Sequence, residues 1–527
     1  MTLIRHAGGM FRSSFFLFAA LTLVGAAHAN TANDAPVAAP PSPTASPNAA
    51  ETTAQIFERI RHDPVRLAMF LRRFPKGADL HNHLVGAVYA ERWLEWAAQD
   101  GLCISTAQAR ILPTQCRART GEMSARDLAG DEDARNDMID ALSMRNFRPG
   151  SDDRSGHDHF FGTFERFAPV EDRHQGEALA DALEQAARDH VVYAEFMISP
   201  ALAPMITSGM HHPLKNEDFA AARAALAPEL PGLAAQARHE TDVMEARAHE
   251  ILQCGTPQAR PGCAVTARYL FQAIRVVPAP AVFAQLDVGF ELVHADPRFA
   301  GLNIVGPEDD ATAMRDYDLH MRMFRAMKAV HPDVHLSLHA GELTPGLVPE
   351  DGLDHHIRDA IAIAGAERIG HGVDIAWEHD PSALLQDMAR KHVAVEIALT
   401  SNEEILGIRG AAHPFSLYRA ANVPTVLSTD DEGVSRGDLT QEYQRAVTAW
   451  NLSYDDLKSI SRNGLTYAFL GGESLWNGDN VITRCQARQS YTCTSFMKAS
   501  EKARLQLALE LQFEQFERDM AAMSLFR

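Results

Sequence analysis

Four short stretches gather the residue types from which a catalytic metal centre is built. They are His81-Asn-His83, His339-Ala-Gly-Glu342, Gly370-His371-Gly372 and Ser428-Thr-Asp430-Asp431. Zinc at a catalytic site takes imidazole nitrogens and carboxylate oxygens and keeps one position open for water. His81 and His83 stand two residues apart at the end of an apolar run, so on a strand both rings point to the same side. Among 24 histidines such a pair by itself is weak, and it gains weight only from partners. With His339 and Asp430 it makes three neutral imidazoles and one carboxylate, a set that leaves the ion electrophilic. His371 is then the expected base for a water on that ion. Glu342, three residues past His339, is the expected acid toward whatever the water attacks. Adjacent residues of an extended strand point opposite ways, so Asp431 is expected to contact substrate while Asp430 holds metal. Taken alone, the same Asp pair fits a turn or helix cap. Gly306, after a later strand, is placed to bring backbone close to a ligand, although a turn requirement explains a glycine there equally well. Gly301-Leu-Asn-Ile-Val-Gly-Pro307 offers no lysine that could bridge two ions, and Glu308 just beyond is a poor substitute, so one metal is expected.

These residues must be positioned by elements that the periodicity reveals. Eight apolar or β-branched runs, Gly77–His81, Val191–Met197, Arg268–Val276, Leu302–Val305, Val334–His339, Arg368–Gly370, Val393–Ile397 and Thr425–Ser428, alternate with Ala/Leu/Glu/Arg-rich helical segments. That alternation predicts a (β/α)8 barrel of the α/β class, in which active groups sit at the C-terminal ends of strands. Each stretch above lies at such an end. Two intervals, about 100–165 and 205–262, are too long for ordinary connections. They are expected to be insertions with helical patterns such as Ala220–Leu226 and Glu240–Leu252, serving as a substrate-selecting wall or as packing elements. Glu396 in the seventh run would be buried and needs a partner. Ser401-Asn402 is expected to cap the following helix, and His355-His356 to be exposed.

Composition bounds the partners. The formal charge of -20, with no Lys/Arg-rich run, argues against nucleic acid or an anionic membrane and leaves a small neutral molecule as the fitting ligand. Residues 1–29 read as a secretory signal, with Arg5 and Arg12 ahead of an apolar stretch and Ala27-His28-Ala29 as the small-x-small cleavage pattern. Residues 30–50, rich in Ala, Pro, Ser and Thr, read as a linker, so folding should start near Glu51 and occupy 51–527. The six cysteines fall into three local pairs, Cys103/Cys116, Cys254/Cys263 and Cys485/Cys493. None has the spacing of a zinc ribbon, and three disulfides in an exported protein, periplasmic or extracellular, are expected.

The stretches HNHLVGA, VVYAEFMISP, HAGE, RIGHG, TSN and STDD stand in the order and approximate spacing found in the adenosine deaminase family of amidohydrolases, and together they resemble it from about Lys76 to Asp431. The signal, insertions and cysteines look more like its secreted growth-factor-related group than its compact cytosolic enzymes. The resemblance implies that His81, His83, His339 and Asp430 bind one zinc ion, that Glu342 protonates purine N1, and that His371 orients and deprotonates the attacking water. It further implies that Asp431 bonds N7 and that the Gly306 backbone meets N3. Hydrolytic deamination of adenosine or 2'-deoxyadenosine to the inosine-type product and ammonia is the expected activity. Val85 departs from the aspartate that contacts ribose in many members, and valine cannot bond a hydroxyl. That departure keeps open another 6-aminopurine or a related cyclic amide as substrate. A binding or signalling protein with a vestigial site is the alternative of a different class.

Overall fold

The eight anticipated runs form eight parallel strands: β1 (Gly77–His83), β2 (Val191–Ile198), β3 (Thr266–Ile274), β4 (Phe299–Val305), β5 (Ser337–Ala340), β6 (Arg368–His371), β7 (Ala394–Ile397) and β8 (Thr425–Leu427). They come from a computed structural model that describes residues 47–116, 121–150, 154–478 and 480–523. Strands covered on both faces read as nearly continuous apolar runs, and all seven residues of β1 and all eight of β2 are buried.

Hydrogen bonding orders the strands as β1-β2-β3-β4 and β5-β6-β7-β8, two four-stranded parallel sheets. Two seams join them. At one, the Leu302 N–H of β4 donates to the His335 carbonyl at 3.0 Å, just ahead of β5. At the other, the His83 N–H donates to the Asp430 carbonyl at 3.1 Å and the Asp430 N–H to the His81 carbonyl at 2.8 Å. The ring is thereby closed as a (β/α)8 barrel, with no free sheet edge. The second seam matters for chemistry, because it fixes residues almost 350 positions apart in one register, Asn82 opposite Asp430.

The insertions lie where expected, after β1 and after β2. The first adds something unanticipated, a three-stranded antiparallel sheet with Leu102–Ser105 between Arg110–Gln115 and Glu122–Ser124. Strands this short carry little alternation in sequence, and neighbouring Ala and Glu residues mask them as helix. The second insertion holds helices Leu202–His211, Phe219–Leu226 and Leu230–Leu252. The last starts ten residues ahead of the expected Glu240, with Pro231 in its first turn, where a missing N–H costs nothing. All three expected disulfides are formed.

Helix Pro47–Ile60 begins four residues before the expected start at Glu51. The region around it is tied to the C-terminal helix Glu501–Ala522, where Phe70 meets Phe516 edge-on at 5.0 Å between centroids. The expected signal and most of the linker lie outside the described residues. Among those described, no helix is long and apolar enough to cross a membrane.

Candidate metal centre and cavity

His81 and His83 end β1, His339 lies in β5, and Asp430 sits just beyond β8, so the β1–β8 seam and the neighbouring strand ends bring all four together. Asp430 Oδ1 stands 3.3 Å from His81 Nε2 and 3.2 Å from His83 Nε2, and His83 Nε2 stands 3.2 Å from His339 Nε2. Atoms about 2.0–2.1 Å from a common centre at tetrahedral angles are separated by about 3.3 Å. The three measured edges match that figure, so this donor set can hold one ion of zinc's size.

Ring orientation supports the same conclusion. An imidazole that donates from Nδ1 keeps its Nε2 lone pair free for a metal. His81 Nδ1 lies 2.8 Å from Glu396 Oε2, His83 Nδ1 lies 2.9 Å from Gln272 Oε1, and His339 Nδ1 lies 2.8 Å from Asn303 Oδ1. His81 Nε2 is buried without a hydrogen-bond partner of its own. Glu396 thus has the partner its burial demanded. It also accepts from Ser337 at 2.7 Å and from Arg368 Nε at 2.5 Å, and Arg368 bonds the equally buried Glu195. Gln272 and Asn303 had no signal beyond being polar residues in apolar strands. Glycine makes room here: a Cβ on Gly370 would sit 2.6 Å from His81 Cε1, and one on Gly86 would sit 1.5 Å from Asp431 Oδ1.

A cavity of about 1240 Å³ opens onto these groups and is lined by His83, Glu342, His371, Asp430 and Asp431 at its floor. Gly306, with φ at +101°, also lines it, as does Val85. Helix Gly156–Glu171 contributes Phe160, Phe161 and Phe164, and helix Leu230–Leu252 contributes His239, Glu240 and Met244. Both insertions therefore reach the wall of one cavity.

Three acids at the floor differ in state. Burial, reinforced by the Asp430 charge, pushes the Glu342 carboxyl well above the carboxylate range and so favours its protonated form. Burial likewise pushes Asp431 up to about 8, and its Oδ1 has no hydrogen-bond partner. Asp430 is held well below the ordinary carboxylate range, because the close approach of the His81 and His83 rings outweighs burial. Glu308, set aside above as a poor metal ligand, has a different use. Its carboxylate accepts the backbone N–H of Gly341 at 3.1 Å and of Glu342 at 2.8 Å, and lies 2.6 Å from His356 Nδ1. It holds the Glu342 turn. His356 was expected to be exposed. It is fully buried and stacked on Tyr317 at 3.6 Å, because Glu308 gives its ring a buried partner.

His371 ends β6 with Nε2 at 3.7 Å from Glu342 Oε1 and 3.9 Å from Asp430 Oδ2. Its φ of +71° and that of Asp430 at +60° are left-handed, a strain of about 1–3 kcal/mol each that clusters at functional sites. His371 Nδ1 lies 3.0 Å from Asn402 Nδ2. The expectation that Ser401-Asn402 caps a helix fails, since both lie inside helix Leu399–Leu406. Its first N–H groups are held instead by Glu442, which bonds the Leu399 N–H at 2.6 Å and the Thr400 N–H at 3.2 Å. A carboxylate from a distant helix replaced the local cap.

Known proteins place this architecture. Residues 174–475 match the family described as Adenosine deaminase, a span that begins after the His81-x-His83 stretch. An adenosine deaminase of Escherichia coli is 35% identical over 147 residues, 28% of this chain and 41% of that protein. One of Clostridium perfringens is 28% identical over 193 residues, 36% of this chain and 53% of that protein. The matched stretches thus span about half or less of these curated relatives. Among solved structures, an amidohydrolase from Burkhoderia ambifaria with bound Zn superposes with a TM-score of 0.52 at 17% identity, covering 86% of this chain and 95% of that one. That likeness is one of fold. With the family match extending over more than half of its length, the chain belongs to the adenosine deaminase family.

Proposed function

We propose that this protein is a zinc-dependent hydrolase that deaminates adenosine and 2'-deoxyadenosine at C6, releasing ammonia. The observation that carries the proposal is Glu342, a buried carboxyl that lines the same cavity as a donor set sized for one metal ion, where burial favours its protonated form. His81, His83, His339 and Asp430 would hold the ion. Bound there, a divalent cation supplies Lewis-acid activation of a water near neutral pH.

The remaining steps belong to side chains of this chain. Glu342 donates its proton to purine N1, which makes C6 more electrophilic. His371, with Nε2 3.9 Å from Asp430 Oδ2, orients the attacking water. As its oxygen bonds C6, the water gives one proton to the Asp430 carboxylate. The C6–N6 bond then breaks with that proton leaving on the amine as ammonia, and the second water proton restores Glu342. Asp431, protonated near neutrality and without another partner at Oδ1, donates to N7. The backbone at Gly306 meets N3, and the apolar Phe160, Phe161 and Phe164 exclude water above the ring. The ordinary cost of desolvating these carboxyls is turned to use, because it favours the neutral, proton-donating form of Glu342 and Asp431 beside an ionised Asp430.

Val85 in the cavity wall favours a second reading, another 6-aminopurine, because the sugar must be recognised elsewhere. Ammonia release from adenosine, 2'-deoxyadenosine, adenine and an N6-substituted purine by zinc-loaded protein tests both. Turnover of adenosine supports the first reading, turnover of only the base or the N6-substituted compound supports the second, and none with any of them removes both. The three disulfides support export, with 1–29 as a secretory signal and 30–50 as a linker ahead of the barrel.

A further inference from the structure

Four imidazoles crowd the candidate centre, and the donor atoms of His81, His339, His371 and Asp430 lie within 4.8 Å of one another. Proximity alone cannot say which ring is a ligand and which meets the water. The far nitrogen of each ring can. His81, His83 and His339 face oxygens through Nδ1, so each carries its proton there and leaves Nε2 free.

His371 is wired the opposite way by a chain of three hydrogen bonds. The Phe415 N–H, a donor with no other option, donates to His413 Nδ1 at 3.1 Å. His413 must then carry its proton on Nε2, which lies 3.0 Å from Asn402 Oδ1 and donates to it. Burial holds His413 neutral by pushing its pKa down to about 4. With Oδ1 used as acceptor, the Asn402 amide turns its Nδ2 toward His371 Nδ1 at 3.0 Å, and that nitrogen accepts. All three side chains are buried, so water does not compete for these bonds.

We infer that Asn402 and His413 are positioning residues that fix the neutral His371 ring in the tautomer with its proton on Nε2, making it a hydrogen-bond donor to the attacking oxygen and neither a metal ligand nor the base. This deepens the deaminase reading and rests on it for the identity of the oxygen; the tautomer itself does not. An Nε2–H has no lone pair for a cation, which assigns the donor set to His83 in place of His371. With His371 donating, the water's own proton goes to the Asp430 carboxylate, whose Oδ2 lies 3.9 Å from His371 Nε2, while Glu342, 3.7 Å from the same nitrogen, delivers its proton to the purine ring.

The test is the ¹⁵N NMR tautomer of His371 in zinc-loaded full-length protein, identified by comparison with His371→Gln, together with steady-state kinetics of Asn402→Asp and Asn402→Ala. Wild type should show the proton on Nε2. Asn402→Asp replaces a donor with an acceptor of the same shape, still satisfies His413, and should move the His371 proton to Nδ1. Turnover should then fall about 10²-fold or more with KM little changed, and further than in Asn402→Ala, which merely frees the ring. A wild-type spectrum with the proton on Nδ1, or an Asn402→Asp variant that turns over as well as wild type, overturns the inference. The wild-type spectrum needs no variant to fold. It also separates the two ideas: no ammonia from any purine with the proton on Nε2 sinks the deaminase reading and leaves the tautomer standing.

Discussion

Replacing Glu342 by Gln isolates proton donation from everything else that residue does. The backbone N–H groups of Gly341 and Glu342 are held by Glu308 at 3.1 and 2.8 Å and do not involve the Glu342 side chain, so the turn stays in place. Glutamine keeps the shape and can donate an N–H bond, but it cannot deliver a proton to N1. A positioned acid contributes about 10²- to 10⁴-fold, which at about 1.36 kcal/mol per tenfold is about 3–5 kcal/mol of barrier. Zinc content, read by elemental analysis, should remain that of wild type, because the side chain is outside the donor set. The pH dependence gives a second handle. An acid must be protonated to act, so wild-type kcat/KM should fall as pH rises through the raised Glu342 pKa, and Glu342→Gln should lose that limb. Stability runs with the same sign in metal-stripped protein. The folded state binds this proton more tightly than the unfolded chain, so wild type loses stability relative to Glu342→Gln as pH climbs above about 4.3, the ordinary carboxyl value. Ammonia release by Glu342→Gln at the wild-type rate would remove Glu342 from the chemistry and with it the main support for deamination.

Other perturbations separate metal, anchor and shape. Asp430→Ala should lose zinc as well as rate, and unchanged zinc stoichiometry would show that Asp430 is no ligand. Glu396→Ala leaves buried Arg368 and His81 without their carboxylate, so thermal or denaturant unfolding should report a loss of about 3–5 kcal/mol; a variant as stable as wild type would mean that Glu195 alone satisfies Arg368. Gly86→Ala places a methyl within 1.5 Å of Asp431 Oδ1 and must displace that acid. Its kcat/KM for purines should collapse while zinc stays bound, and wild-type kinetics would count against Asp431 as a substrate contact. Reducing Cys103–Cys116, which closes a separation of 13 residues, should cost about 3 kcal/mol of stability to urea.

How much of this was written in the chain depends on the distance over which each interaction acts. The eight strands were legible because burial on both faces imposes an apolar run on each, and the residues of the candidate donor set stood out because few side-chain types can bind a metal. Glu342 and Asp431 stand beside the candidate donors in sequence, and the structure places both in the lining of the same cavity. The small antiparallel sheet was not legible, since strands such as Glu122–Ser124 are too short to show a period. Nor were Gln272, Asn303, Glu308 and Glu442, whose roles arise only when the barrel closes and brings them against backbone or imidazole N–H groups far away in the chain.

Asn402 shows why residue type alone misleads. Beside a serine and ahead of a helix it carries the local signature of a cap, and that reading would have been sound had the helix lacked Glu442. A carboxylate from helix Leu439–Trp450 takes over the helix terminus, and the amide is thereby released to face the barrel. An amide differs from both a carboxylate and a hydroxyl in presenting a donor and an acceptor on fixed, opposite sides. Between His413, whose one available proton points toward it, and His371, whose nitrogen must then accept, only that two-sided group satisfies both partners at once. The chemistry of the fourth histidine is thus set by a backbone N–H at Phe415, three bonds away, and no property of the Gly370-His371-Gly372 stretch could have announced it.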